Sequence, residues 1–272
     1  MKNKYSNSKI KTIGIFDSGL GGLTILNQLK KNIPNVRFIY FGDTAHLPYG
    51  NKSQHSIRKF CNKIVNFLLS KGADMVIVAC HSASSVALDD LNNTFDIPII
   101  GVIEPSIDEA LQQTQTDSIV VLGTSTTIDS HTYKKKIDTK NSTIDVHEIA
   151  CPLFVPIVEE GLENSEIAQL VVKKYLQKTT KLNIDTMILG CTHYPLLIKQ
   201  IHSYIDYNNK NKILIIDTGV VISKYIKKHV EIDDKNISPS ILYFVSDTPY
   251  RFHELASNFL HFNVGEVVQI EL

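Results

Sequence analysis

Short apolar runs recur along the chain, separated by stretches in which apolar residues repeat at helical spacing. The runs predict strands at Thr12–Phe16, Arg37–Phe41, Met75–Ala79, Ile99–Val102, Ile119–Leu122, Ile144–Ile149, Thr186–Gly190, Ile213–Ile216, Ile241–Val245 and Glu266–Ile270. Between them the pattern predicts helices over Gly22–Lys31, Ser53–Lys71, Ala83–Asn93, Ser106–Gln113 and Thr127–Lys136. Further helices are predicted over Phe154–Glu160, Ser165–Lys178, Tyr194–Ile205, Val220–Val230 and Pro249–Leu260. Strands alternating with helices imply βαβ units, hence an α/β fold with mainly parallel sheets.

The pattern also repeats. Asp74-Met-Val-Ile-Val-Ala-Cys80 and Asp185-Thr-Met-Ile-Leu-Gly-Cys191 place two cysteines 111 positions apart in near-matching contexts. Each cysteine ends an apolar run and opens a polar segment, as a residue at the carboxyl end of a buried parallel strand does. Upstream, the strands ending at Asp17-Ser18 and Gly123-Thr124 echo one another, 63 and 68 residues before the respective cysteines. Two related α/β halves facing each other are expected, the second inserted in the first. The expected first domain is 1–98 plus 213–272, and the second is 99–212. Ligands bind outside the carboxyl ends of parallel strands, so both thiols are expected at one cleft.

Composition narrows the setting. The 28 basic and 28 acidic residues cancel, which gives no global pull toward nucleic acid or an anionic membrane. Neither a signal-peptide core nor a membrane-length apolar stretch is present, so a cytoplasmic protein with reduced thiols is expected. Cys61, Cys80, Cys151 and Cys191 show no CxxC spacing, which argues against a zinc site or a disulfide framework.

The chemistry-bearing residues sit where strands are expected to end. Asp17-Ser18-Gly19-Leu20-Gly21-Gly22 leads from a strand into a helix, and its glycines permit close backbone approach to a ligand. Its glycine spacing departs from the dinucleotide fingerprint, which argues against NAD. A tight turn accounts for the glycines but not for the carboxylate of Asp17. Pro48-Tyr49-Gly50 is a turn signal after the second strand. A buried cysteine is often only a small hydrophobe, and that reading suits Cys61. It does not explain why Cys80 and Cys191 occupy equivalent strand ends beside hydroxyl and imidazole groups. A thiol, with an ordinary pKa of about 8.5, serves proton transfer near neutral pH when its surroundings favour the thiolate. His193 can assist Cys191, and Asp17 can assist Cys80.

These segments, with Ala79-Cys80-x-x-Ala83-Ser84, Cys151-Pro152, Glu159-Glu160-Gly161 and Gly190-Cys191-Thr192-His193-Tyr194-Pro195, resemble the glutamate racemase family in content and order. The resemblance implies two flavodoxin-like domains with the site between them, commonly in a homodimer. It implies cofactor-independent racemisation of glutamate, supplying D-glutamate for peptidoglycan. Cys80 and Cys191 become the two bases, acting on the D- and L-isomers respectively. Asp17 and His193 assist them, with a contribution from Glu160 or its neighbour Glu159. Substrate contacts fall on Asp17, Ser18, Pro48, Tyr49, Gly50, His81, Ser82, Thr124, Thr127, Thr192 and His193. No lysine stands in a motif that marks a Schiff-base site.

One position departs from the family pattern: Ala79-Cys80-His81-Ser82 stands where relatives carry Ala-Cys-Asn-Thr. A protonated His81 would strengthen carboxylate binding, disfavour the substrate ammonium and lower the pKa of Cys80. Other readings stay open: racemisation of aspartate or another acid, a catalytically silent relative, or a hydrolase using Cys191 and His193 alone.

Overall fold

The computed structural model describes residues 9–208, 212–233, 238–260 and 264–272, so most of the polar amino-terminal stretch lies outside it. Among the described residues, ten strands form two sheets. They are β1 (Thr12–Asp17), β2 (Arg37–Gly42), β3 (Met75–Val78), β4 (Ile99–Gly101), β5 (Ser118–Gly123), β6 (Asp145–Ala150), β7 (Thr186–Gly190), β8 (Leu214–Ile216), β9 (Ile241–Val245) and β10 (Val267–Gln269). The first sheet runs β10-β9-β2-β1-β3-β4 and the second β6-β5-β7-β8, with every pairing parallel.

Both sheets are covered on two faces, which is why their strands read as unbroken apolar runs. Alternate residues serve opposite cores. Met75 and Ile77 of β3 join one apolar cluster, whereas Val76 and Val78 join another with Cys80. In the second sheet, Met187 and Leu189 pack with Cys191, and Ile188 packs on the opposite side.

The internal echo is structural. β1 lies between β2 and β3, and β5 lies between β6 and β7, so the strand order reverses at β1 in one sheet and at β5 in the other. A crevice opens at such a switch point. The two aspartates that begin the repeated segments also do equivalent work. Asp74 accepts from the backbone N–H groups of Lys11 and Thr12, both at 2.8 Å. Asp185 accepts from those of Gln115 and Thr116 at 2.6 and 2.9 Å. Each carboxylate thus ties the start of the Cys-bearing strand segment to the chain entering the switch strand.

Strand pairing moves both expected domain junctions. β4, expected in the second domain, pairs with β3 in the first sheet, Val76 opposite Ile99. β8, expected in the first, pairs with β7 in the second, Thr186 opposite Leu214. The chain therefore crosses after each of these strands instead of before it, because a short apolar run carries no local mark of its partner. β9 and β10 return to extend the first sheet beside β2.

Helices differ in detail. The helix expected from Ser106 starts at Ile103, since Pro105 is accommodated in a first turn, where its missing N–H costs nothing. The expected Thr127–Lys136 helix is two, Ser125–Asp129 and Thr132–Lys140, parted by His131 at φ 53°. The expected Ala83–Asn93 helix is also two, His81–Val86 and Leu88–Thr94.

Candidate active site

The first wall is built at the end of β1. Asp17 is fully buried; its carboxylate accepts from the Gly19 N–H at 3.0 Å and, across the interface, from the Thr192 hydroxyl at 3.2 Å. Burial raises its pKa, while the nearby His193 and these hydrogen bonds pull the other way. Gly21 is required by proximity: a Cβ there would lie 2.6 Å from His193 Nδ1 and collide with the Thr192 hydroxyl. The glycine turn therefore seats the opposing domain's catalytic-type loop directly on the first.

Cys80 follows β3 and precedes the helix His81–Val86, with Sγ 3.7 Å from the Ser18 hydroxyl. Burial and then the Asp17 charge push its thiol up to about 12, against the Ala83 N–H and the Ser18 hydroxyl. This reverses the expected lowering: the thiol is held protonated at neutral pH. His81 likewise departs from the expectation of charge. Burial drops its pKa to about 3, so the ring is neutral and does not acidify Cys80. Its Nε2 meets Thr218 Oγ1 at 3.2 Å, and Tyr133 stacks alongside.

The second wall follows β7. Cys191 Sγ lies 3.9 Å from His193 Nδ1, and His193 Nε2 lies 3.1 Å from Glu159 Oε1. Burial works against a charge on His193, but the Cys191 sulfur and the Glu159 carboxylate outweigh it and hold the imidazole up to about 10. Of the two adjacent acids, Glu159 therefore reaches the site. Glu160, the one favoured from sequence, points to the surface and pairs with Arg251 at 3.2 Å. Being neighbours at a helix end, they face different directions, which composition alone does not reveal.

Between the walls, Ser82 of the first domain meets Thr124 Oγ1 at 2.9 Å and Thr127 Oγ1 at 3.4 Å. Thr124 also caps its helix by accepting from the Thr127 N–H at 3.3 Å. Cys80 and Cys191 line one small cavity, partly open to solvent. Ser18, Pro48, Tyr49, Gly50, His81, Ser82, Thr124, Thr192 and His193 line it as well. Asp17 and Thr127 stand behind this lining. The Tyr49 hydroxyl turns away to Asp43, so Tyr49 serves the cavity by its position on the loop. Sequence reasoning missed Leu47 and Val155, apolar lining residues without a chemical signature.

Comparison with known proteins accords with this geometry. Residues 23–225 match the family model described as Asp/Glu/Hydantoin racemase. The chain belongs to that family. Among curated members of the family, it is 39% identical to the glutamate racemase of Geobacter metallireducens over 262 residues, 96% of this chain and 97% of that one. It is 41% identical to that of Chlorobaculum tepidum over 269 residues, 97% of each. A Bacillus anthracis glutamate racemase structure superposes with a TM-score of 0.89 at 32% identity, covering 97% of this chain and 99% of the other. Aspartate racemase from Picrophilus torridus shares the fold, at TM-score 0.58 and 17% identity over 82% of this chain and 94% of the other. Among the described residues no helix is long and apolar enough to cross a membrane.

Proposed function

We propose that this racemase-family chain interconverts L- and D-glutamate by two-base proton transfer between Cys80 and Cys191. One observation carries the reading: two thiols from equivalent strand ends of two sheets line a single cavity. Inversion at carbon needs a proton acceptor on one face and a donor on the other, and a single nucleophile–base pair supplies only one of these. Full-length similarity to glutamate racemases favours glutamate over aspartate.

The step balances without an outside reagent. A Cys191 thiolate takes the α-proton of L-glutamate and becomes a thiol, the electron pair staying on carbon. The Cys80 thiol delivers its proton to the opposite face and becomes a thiolate, and the reverse sequence consumes D-glutamate. The raised pKa of Cys80 suits a proton donor at rest. His193, cationic and braced by Glu159, holds its positive charge beside the Cys191 sulfur at 3.9 Å. Hydroxyls of Ser18, Ser82, Thr124 and Thr192 line the cavity as donors for substrate carboxylates and developing charge. The family resemblance adds a homodimer and supply of D-glutamate to peptidoglycan, and the sequence pattern adds a cytoplasmic setting.

Proton NMR of the protein with each glutamate isomer in D2O, without added cofactor, tests this. Loss of the α-proton signal together with the opposite isomer on chiral analysis is expected. A folded protein that exchanges neither isomer, or exchanges only aspartate, would sink the assignment.

A further inference from the structure

The chain crosses between domains twice, after β4 and after β8, and residues from both crossings meet behind His81. Ser106 lies in the helix that follows the first crossing and Thr218 opens the helix that follows the second; both are buried. Thr218 Oγ1 lies 3.2 Å from His81 Nε2, 3.3 Å from the Leu189 carbonyl and 3.3 Å from Ser106 Oγ. Ser106 sends its own hydroxyl hydrogen to the Val102 carbonyl at 2.8 Å.

A threonine hydroxyl has one hydrogen and two lone pairs. That hydrogen goes to the Leu189 carbonyl, while the Ser106 hydroxyl, shared with the Val102 carbonyl, donates to one of the lone pairs. A second acceptor at His81 would compete with that carbonyl for the one hydrogen and leave the other Thr218 lone pair unused in a buried site, at real cost. His81 Nε2 must therefore bring a hydrogen. Because burial keeps the ring neutral, a proton on Nε2 leaves Nδ1 as a bare lone pair. That Nδ1 is buried and has no partner among the described residues, on a side chain that lines the cavity.

We propose that Thr218 is a positioning residue that fixes His81 in its Nε2–H tautomer, making Nδ1 an acceptor for the α-ammonium of the bound amino acid. The ammonium half rests on the glutamate reading above, since of the groups on glutamate only the ammonium offers N–H donors. The tautomer half does not. The cluster thereby links the point where the domains join to the group that receives the substrate nitrogen.

Long-range proton–nitrogen correlation on the full chain decides the tautomer, with the His81 signals assigned by their loss in His81→Gln. A bare Nδ1 in the wild-type protein is expected, redistributed toward Nδ1–H in Thr218→Val and restored in Thr218→Ser. In parallel, Thr218→Val should raise KM for both glutamate isomers about tenfold, the scale of a hydrogen bond to a charged group, and Thr218→Ser should recover it. Competitive inhibition by glutarate, which lacks the ammonium, should not change. A wild-type ring carrying Nδ1–H overturns the proposal, as does a Thr218→Val protein with unaltered tautomer and KM. If that variant does not fold, the wild-type tautomer and the Thr218→Ser kinetics still decide. Equal weakening of glutarate overturns the ammonium assignment. Absence of α-proton exchange in the wild-type protein removes the glutamate reading and the ammonium with it, and leaves the tautomer to be judged by the spectrum.

Discussion

Glu159 accepts from His193 Nε2 at 3.1 Å across 34 residues of sequence, while its neighbour Glu160 faces Arg251 at the surface. The pairing separates two acids that look interchangeable in the chain. Glu159→Gln keeps an acceptor but removes the charge, so the imidazolium loses part of its support. The alkaline limb of the kcat/KM profile, set by loss of the His193 proton near about 10, should move to lower pH. Glu160→Gln should leave the profile in place, since an exposed pair contributes about 0–1 kcal/mol. Matching profiles for the two variants would refute the assignment.

The same group makes stability depend on pH. The folded pKa of His193 lies above its unfolded value of 6.5. Its stabilising contribution is therefore complete below about pH 6.5 and is lost as pH rises through about 10. The difference in unfolding free energy between wild type and His193→Gln should shrink steadily over that interval. Urea titrations at several pH values measure it; a difference that widens with pH would contradict the cationic state.

Gly21→Ala should damage catalysis more than folding. The added Cβ would lie 2.6 Å from His193 Nδ1, and relief requires the Thr192 and His193 side chains to shift from their present positions. Displacement of that order costs about 10²-fold in rate when reacting groups are held in line. Steady-state kinetics beside a melting curve separate the two effects. Near-normal kcat would show that the domains tolerate a wider gap.

Much of this architecture is legible in the chain because buried parallel strands are locally marked. All ten expected strands form, and the Asp17, Cys80 and Cys191 positions follow from where apolar runs end. Partner choice is not local. Ile99–Gly101 and Leu214–Ile216 read alike, yet each extends the sheet opposite to the one expected. Electrostatics were legible only as residue types. That burial and the Asp17 charge raise the Cys80 thiol instead of lowering it, and that His81 is too buried to protonate, depend on tertiary enclosure. The left-handed backbone at His131 likewise has no glycine to announce it.

The paired aspartates yield a prediction about the repeat itself. Asp185→Asn turns one acceptor into a donor facing the backbone N–H groups of Gln115 and Thr116. The expected loss is about 1–3 kcal/mol, at the lower end because the carboxylate is partly solvated. Asp74→Asn should behave alike at Lys11 and Thr12. Chemical denaturation reads both. Loss from only one of them would mean that the two halves use their equivalent carboxylates differently.

The thiols give the most direct separation of readings. In a two-base reaction neither cysteine is dispensable, because removing either leaves one face of the α-carbon without a proton carrier. Cys80→Ala and Cys191→Ala should each reduce glutamate racemisation about 10²–10⁴-fold, the usual span for a positioned acid or base. A hydrolase built on Cys191 and His193 would retain its activity in Cys80→Ala, since Cys80 lies in the other domain and bonds to Ser18. Cys61→Ala is the control: Cys61 is fully buried in the helix Gln54–Ser70 and takes no part in the cavity. Racemisation surviving in Cys80→Ala at the wild-type rate would require another proton donor on that face, and among the described residues no other acid or thiol from the first domain lines the cavity.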